Sequence, residues 1–427
     1  MIIEKEAVES FNRKYRAKHE RQFSWLKEEL SEQGVDTEAL VAQLQAFQVA
    51  IPSWALGTGG TRFGRFAGGG EPGSLEQKIE DIGLLHALNK SSGAISLHIP
   101  WDIPEDPAHI KKLAESHGIR FDAVNSNTFQ DQKGQQLSYK FGSLCHTDAA
   151  VRKQAVAHNI EVIRHGMALG SKSLSLWLSD GSCFPGQQNL ARAFNYTLES
   201  LREIYEALPE GWQFLVEYKP YEPNFYSTVI QDWGTSHLLC SKLGEKANVL
   251  VDLGHHLPNT NIEQIVAILI NEKRLGGFHF NDSKYGDDDL TVGSIRPYML
   301  FLIFNELVEG IRQSGGDSNA YAWMIDASHN VKDPLEDLLQ SVEAILLAYA
   351  QAMLINRESL DNAQLANDAG RAQQILQQAF RTDVRPLVKE AMLRSGAALD
   401  PLGLFRELKV RERLIEERGA SSQATGL

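Results

Sequence analysis

The most constraining feature of this chain is a recurrence of short apolar runs. About eight runs rich in Val, Ile, Leu and Phe occur at 47–51, 95–99, 121–125, 174–178, 214–218, 249–253, 277–281 and 322–326. Each is followed by polar residues and then by a longer segment of helical periodicity, such as 149–169, 190–208, 262–270 and 335–349. Strands that alternate with helices pair in parallel, because parallel neighbours need a crossover of a dozen or more residues. About eight such units predict an α/β chain closed as a (β/α)8 TIM barrel. An open doubly wound sheet is the alternative.

The repeat does not fill the chain. Phe23, Leu26 and Leu30, then Leu40, Val41, Leu44 and Phe47, predict an N-terminal helical segment over 1–46, ahead of a barrel over 47–355. From 356 to 427 the chain reads as a helical extension. One apolar stripe comprises Leu365, Ala369, Ala372, Leu376, Ala379 and Phe380, and another Leu402, Leu404, Phe405, Leu408 and Leu414. Stripes outside a finished barrel must be buried against it or against a neighbouring subunit. Residues 421–427 read as a frayed end.

Charge narrows the partners. Forty-two Lys and Arg stand against 55 Asp and Glu, a net −13, which argues against nucleic acid and anionic membrane surfaces. The richest apolar run, 344–350, meets Gln351 too soon to span a bilayer. The first residues lack the layout of a signal peptide. Cys145, Cys183 and Cys240 form no C-x-x-C pair and read as reduced thiols of a cytoplasmic protein.

The chemistry is concentrated where the later strands end. Glu217-Tyr218-Lys219 closes the fifth run, and Asp252-Leu253-Gly254-His255-His256 the sixth. The seventh ends in His279-Phe280-Asn281-Asp282 with Asp287-Asp288-Asp289 beyond it, and the eighth in Asp326, before Ser328 and His329. In a barrel these ends meet at the face where active sites are built. So many carboxylates cannot stay ionised together in a dry site unless cations neutralise them. A carboxylate-rich set with imidazoles suits Mn²⁺, Mg²⁺ or Co²⁺. The candidate ligands are Glu217, Asp252, His255, His279, Asp287, Asp289 and Asp326. Each alone has an ordinary structural explanation: an acidic loop at 287–289, a core histidine at 279, a helix cap at 326, a Glu217–Lys219 ion pair. Independent roles of that kind would rarely coincide at four successive strand ends.

Trp54, His98, Asn125, Asn127 and Trp177 end the first four runs. A tryptophan among amides and carboxylates can pack on the C–H face of a sugar while the polar groups take its hydroxyls. Familiar nucleotide motifs fail: Arg62 stands where a dinucleotide fingerprint needs its third glycine, and 170–173 lacks the phosphate-loop pattern. The glycine-rich stretch 57–73 is a candidate lid.

These motifs together resemble the L-rhamnose isomerases, in particular the bacterial type that also accepts other aldoses such as D-allose. The likeness rests on Glu217-x-Lys219, the Asp252–Asn261 block, the His279–Leu290 block, Pro52-Ser53-Trp54, the segments 57–63 and 96–102, and Met324-Ile325-Asp326-x-Ser328-His329-Asn330. It covers most of 47–350. The resemblance implies a cytoplasmic, metal-dependent (β/α)8 aldose–ketose isomerase related to xylose isomerase, homotetrameric and run with Mn²⁺. Glu217, Asp252, His279 and Asp326 would hold a first cation. His255, Asp287 and Asp289 would hold a second, with Asp252 bridging. Lys219 would bind the substrate's O1, His98 would assist ring opening, and Trp54, Phe63 and Trp177 would line the pocket. In such enzymes the loop containing Phe63 leans over a neighbouring subunit's site. The glycine content of 66–71 and Tyr218 are points where this sequence can differ from the pattern.

Isomerisation moves one hydrogen between C1 and C2. The residues leave open a hydride shift or a general base, Asp326 among the candidates, working through an enediol. A metal-dependent epimerase, a nuclease and a non-catalytic sugar-binding barrel are the rivals on this architecture.

Overall fold

The computed structural model describes residues 2–57, 66, 68–222, 224–314, 321–327, 329 and 331–420. Eight parallel strands close a barrel in which each pairs with the next and the last returns to the first. They are β1 (Ala50–Pro52), β2 (Ala94–Ile99), β3 (Arg120–Ser126), β4 (Ser173–Leu176), β5 (Gln213–Glu217), β6 (Ala247–Asp252), β7 (Leu275–Phe280) and β8 (Ala322–Ile325). Every apolar run read from the sequence contributes one strand. The first is shifted. Phe47 terminates a helix instead of entering β1, and its ring packs outside the barrel on Phe304, Trp323 and Tyr349.

A helix follows each strand: α3 (Leu75–Asn89), α4 (Pro107–Ser116), α5 (Ala149–Leu169), α6 (Leu190–Glu206), α7 (Trp233–Leu243), α8 (Ile262–Asn271), α9 (Pro297–Ser314) and α10 (Pro334–Met353). Short polar side chains start them. Asp148 Oδ1 accepts from Ala150 N at 2.8 Å and Asn261 Oδ1 from Gln264 N at 3.0 Å, satisfying amides that have no partner within the helix. The cap of α10 is Asp333, so Asp326 is left for another role.

Alternation along the strands divides the core. Phe214, Val216, Val249, Val251, Phe278 and Phe280 join the main cluster beneath the helices. Two small clusters lie apart on the inward rows: Ala50, Ala94 and Met324, and Ala123, Leu215 and Leu250. Side chains two residues apart share a face of a strand. Leu215 therefore predicts an inward Glu217, Leu250 an inward Asp252, and Met324 an inward Asp326. The filled floor leaves the polar row at the rim.

Before the barrel come α1 (Lys5–Glu32) and α2 (Thr37–Ala46); after it come α11 (Arg357–Leu365), α12 (Ala369–Arg381), α13 (Arg385–Arg394), α14 (Pro401–Glu407) and α15 (Val410–Arg418). The two ends pack on each other. Buried Asn12 on α1 donates to Ala397 O at 2.9 Å and accepts from Leu399 N at 2.8 Å. The extension also returns to the barrel, where Arg411 meets Asp333 at 2.6 Å and Arg418 meets Asp81 at 2.8 Å. Ala379, Leu404, Phe405 and Leu414 of its stripes are buried and most of the others half-buried, but Ala369 is exposed and Leu365, at the end of α11, is 83% exposed.

Among the described residues no single helix is long and apolar enough to cross a membrane, and the apolar run of α10 is buried core. The three cysteines are free, and burial pushes the Cys240 thiol up to about 12.

Candidate metal centre

Glu217, Asp252 and His279 end three neighbouring strands, with Asp252 opposite His279 in the β6–β7 ladder. Each offers a ligand atom within 4.8 Å of the other two, and all three side chains are buried. His279 Nδ1 lies 3.2 Å from Glu217 Oε1, 3.7 Å from Asp252 Oδ2 and 3.7 Å from Asp326 Oδ2. One imidazole nitrogen thus faces three carboxylates from the three other strands of this half of the barrel. A divalent ion about 2.0–2.3 Å from each donor places those donors roughly 3–4.5 Å apart, so the set fits one.

Asp252 is built to present a single oxygen. Its Oδ1 accepts from Asn281 Nδ2 at 2.9 Å and from Gly254 N at 2.7 Å. Its buried Oδ2 has no hydrogen-bond partner among the described residues. An orphaned carboxylate oxygen at the centre of an acidic cluster is costly unless a cation takes it. Gly254 makes the packing possible, since a Cβ there would stand 3.1 Å from Asn281 Oδ1 and 3.3 Å from Asp252 Oδ1.

The second group adjoins the first. His255 bridges Glu217 Oε1, 3.0 Å from its Nδ1, and Asp287 Oδ1, 3.0 Å from its Nε2. Asp287 is held in a left-handed turn, φ 52°, with its amide donating to Gly254 O at 2.8 Å. Its other oxygen lies 2.7 Å from Lys219 Nζ, which also contacts Glu222 at 2.5 Å. Lys219 therefore pairs with Asp287 and Glu222 rather than with Glu217. Asp289 stands two residues further along the same loop, half-buried and again left-handed at φ 49°.

The electrostatics record the conflict among these carboxylates. Burial alone would lower His279, but Glu217, Asp326 and Asp252 outweigh it and raise it to about 9. His255 is likewise raised, by Asp252 and Glu217 against burial. Burial opposes the ionised form of Glu217, yet the two histidines hold it well below the usual carboxylate range. Asp326 goes up through burial, with Asp252 and Glu217 adding to the effect. The excess of negative charge that raises both histidines is what a divalent ion would neutralise.

The opposite wall is aromatic and neutral. Trp54 donates its indole N–H to Asp326 Oδ1 at 2.9 Å, and its ring lies 5.1 Å from His98. His98 packs on Trp101 and Phe129, and Phe129 on Trp177 at 4.8 Å. Lys219 Nζ stands over Trp177, 5.1 Å from the ring centre, joining the two walls. Burial lowers His98 to about 3, leaving it neutral.

The sequence-predicted residues Glu217, Asp252, His255, His279, Asp287, Asp326 and Lys219 thus form one connected set, with Trp54, His98 and Trp177 facing it. Phe63 and most of the 57–73 stretch lie outside the described residues. Four contributors escaped sequence reasoning. Asn281 sits inside the His279–Leu290 block, which is read for its ligands, and Glu222 lies three residues beyond Lys219, outside any motif. Asp102 accepts from Lys78 Nζ at 2.6 Å, from His98 N at 2.8 Å and from Ser53 Oγ, fixing β1 and β2 behind Trp54 and His98. Phe129 completes the aromatic wall. Only Asp102, as a buried acid in a strand-end motif, carried a signal that could have been read.

The family model for the xylose isomerase-like TIM barrel matches residues 90–298. A probable sugar isomerase of Mesorhizobium japonicum is 51% identical over 425 residues, covering 100% of this chain and 98% of that protein. A second, from Rhizobium meliloti, is 49% identical and covers 100% and 99%. The chain belongs to the family of xylose isomerase-like TIM barrels. The likeness to both probable sugar isomerases runs over the barrel and over the helical segments before and after it. Two solved structures share the family's fold: an L-ribulose 3-epimerase (TM-score 0.51, 14% identity, 75% of this chain and 98% of that one) and a 3-keto-D-glucoside 4-epimerase from E. coli (TM-score 0.51, 12% identity, 70% and 98%).

Proposed function

We propose that this xylose isomerase-like barrel is a divalent-metal-dependent aldose–ketose isomerase acting on L-rhamnose, with other aldoses such as D-allose and L-mannose as further substrates. The observation that carries this reading is the pairing of the Glu217/Asp252/His279 cluster with Lys219, two residues beyond Glu217 on the same strand end. An epimerase needs acid–base groups at one carbon, whereas an isomerase must stabilise charge on two adjacent oxygens. A cationic side chain beside a metal cluster suits the second task.

Glu217, Asp252, His279 and Asp326 would hold one cation and His255, Asp287 and Asp289 a second, with Asp252 between them; Mn²⁺ is the proposed ion, and Co²⁺ or Mg²⁺ its substitutes. When bound, the ions acidify the C2 hydroxyl and stabilise negative charge on O1 and O2. Lys219 donates to O1, its ammonium aligned by Asp287 and Glu222. In an enediol route Asp326, held by the Trp54 indole, would be the base at the C1–C2 edge; in a hydride shift it would serve as a ligand alone. Neutral His98 takes or returns the ring-oxygen proton on opening. Trp54 and Trp177 cover the apolar sugar face, and Phe63 is proposed to join them. The buried indole N–H of Trp177, without a partner among the described residues, is free for a sugar hydroxyl.

The mouth also carries exposed apolar side chains in successive loops: Phe66, Ile103, Phe141, Phe184, Leu257 and Tyr285. We propose that further copies of this chain cover them in a homotetramer; the mass in solution, measured by light scattering, tests that.

The decisive experiment incubates metal-stripped protein with Mn²⁺ and a panel of aldoses in D₂O, with NMR of the products. Conversion of L-rhamnose to its 2-ketose supports the proposal. Interconversion of ketoses alone makes the protein an epimerase, and sugar binding without turnover makes it a binding protein. Retention of the substrate hydrogen favours a hydride shift, and exchange with solvent an enediol.

A further inference from the structure

Behind the cluster lies a pair of side chains that the proposed reaction does not use. Tyr218 stands between Glu217 and Lys219, and His256 follows His255. Alternation turns Tyr218 away from the barrel interior that Glu217 faces. The Tyr218 hydroxyl lies 2.6 Å from His256 Nε2, and the two rings meet edge-on, 5.3 Å apart at 82°. Both are buried, Tyr218 at 1% and His256 at 8% exposure. The proton can be assigned from the partners. His256 Nδ1 faces Leu253 O at 3.4 Å, and a carbonyl only accepts, so Nδ1 carries the hydrogen and Nε2 accepts from the tyrosine.

The position of this bond gives it meaning. The ladder between β5 and β6 ends with Glu217 opposite Leu250. Lys219 and His255 lie beyond it, where strand pairing no longer sets their separation. On the inner side His255 Nδ1 sits 3.0 Å from both Glu217 Oε1 and Tyr218 O, which turns its Nε2 toward Asp287. On the outer side the Tyr218–His256 bond makes a second tie between the same two chain segments. Carboxylates repel one another, so a cluster of them keeps ligand spacing only where the surrounding backbone is held.

We infer that Tyr218 and His256 are positioning residues of the metal centre, their hydrogen bond fixing Glu217 and Lys219 against Asp252 and His255. This rests on the metal reading given above. The test is calorimetric titration of the metal-stripped full chain with Mn²⁺ alone, for wild type, Tyr218→Phe, His256→Gln and the double variant, alongside thermal unfolding of each metal-free protein. Removing one outer partner of a metal site typically weakens binding about 10- to 100-fold. Each single variant is expected to lose about 10-fold in Mn²⁺ affinity, with the double no worse than either, since one shared bond is lost. If His256→Gln fails to fold, Tyr218→Phe, which removes one oxygen and keeps the ring, carries the test. An Mn²⁺ affinity within twofold of wild type in the variants overturns the inference, and a lowered unfolding midpoint with intact affinity assigns the pair to fold stability and overturns it too. Failure of wild type itself to bind Mn²⁺ brings down the metal reading and this inference together.

Discussion

Two histidines that face the same cavity from opposite walls are driven in opposite directions. His279, on the β5–β8 side, is raised to about 9 because three carboxylates outweigh its burial. His98, on the β1–β4 side, is lowered to about 3 because burial among aromatic rings, helped by the nearby Lys78 charge, outweighs a backbone hydrogen bond at Ser126. Both follow from one scaffold, in which alternate residues of every strand face inward and the last inward position stands at the rim. The difference lies only in what the neighbouring strands present. One half of the barrel gathers charged side chains of the kind a cation would take, and the other presents flat aromatic surface. A sugar needs both, because its oxygens must be activated while its C–H faces are held.

The contrast can be broken most severely on the charged side. Asp252→Asn keeps the shape but removes the charge on Asp252's own unpartnered oxygen, and is expected to lower kcat/KM by roughly a thousandfold or more in a protein that stays folded by circular dichroism. Full activity in that variant with normal metal content would deny Asp252 its proposed bridging place. Lys219→Met removes only the charge-stabilising donor and is expected to cost about 10²- to 10³-fold in kcat, with Mn²⁺ binding retained in titration.

On the aromatic side, effects should be smaller and of another kind. Trp177→Ala removes stacking surface, so KM is expected to rise about tenfold while Mn²⁺ affinity is unchanged. A loss of metal in this variant would show that the two walls are not separable.

The smallest effect is in the pH dependence of metal-free stability, measured by denaturant unfolding. A histidine raised to about 9 from 6.5 stabilises fully below pH 6.5 and loses that contribution as pH rises through 9. His98, lowered to about 3, has the opposite sign: the unfolded chain takes up a proton below pH 6.5 that the folded protein refuses, so stability falls as pH drops from 6.5 toward 3. His279→Gln is expected to flatten the alkaline limb and His98→Phe part of the acid limb; identical profiles for all three proteins would contradict the assignment.

Much of this division was legible in the sequence. Each apolar run carried its strand, and Glu217, Asp252, His279 and Asp326 could be placed at one rim because strand periodicity is local and the topology is strict. What stayed hidden were partners joined across the chain. Nothing near Asn12 announces Ala397 and Leu399, 385 and 387 positions away. Nothing near Asp102 announces Lys78 on the preceding helix or Ser53 after β1. Lys219 was open to misreading as the partner of Glu217, because residues two apart share a face of a strand; Asp287, from the loop after β7, and Glu222, from the turn after Lys219, take it instead. Side-chain pairing of this kind follows the packed fold and leaves no periodic mark.

Four consecutive strand ends are proposed to grip one cation. A crystal of the protein grown with Mn²⁺, with data collected at the manganese absorption edge, tests this proposal most directly. An anomalous peak is expected at direct coordination distance, about 2.0–2.3 Å, from Glu217, Asp252, His279 and Asp326. A fully occupied manganese elsewhere, with these four side chains paired only to one another, would contradict it.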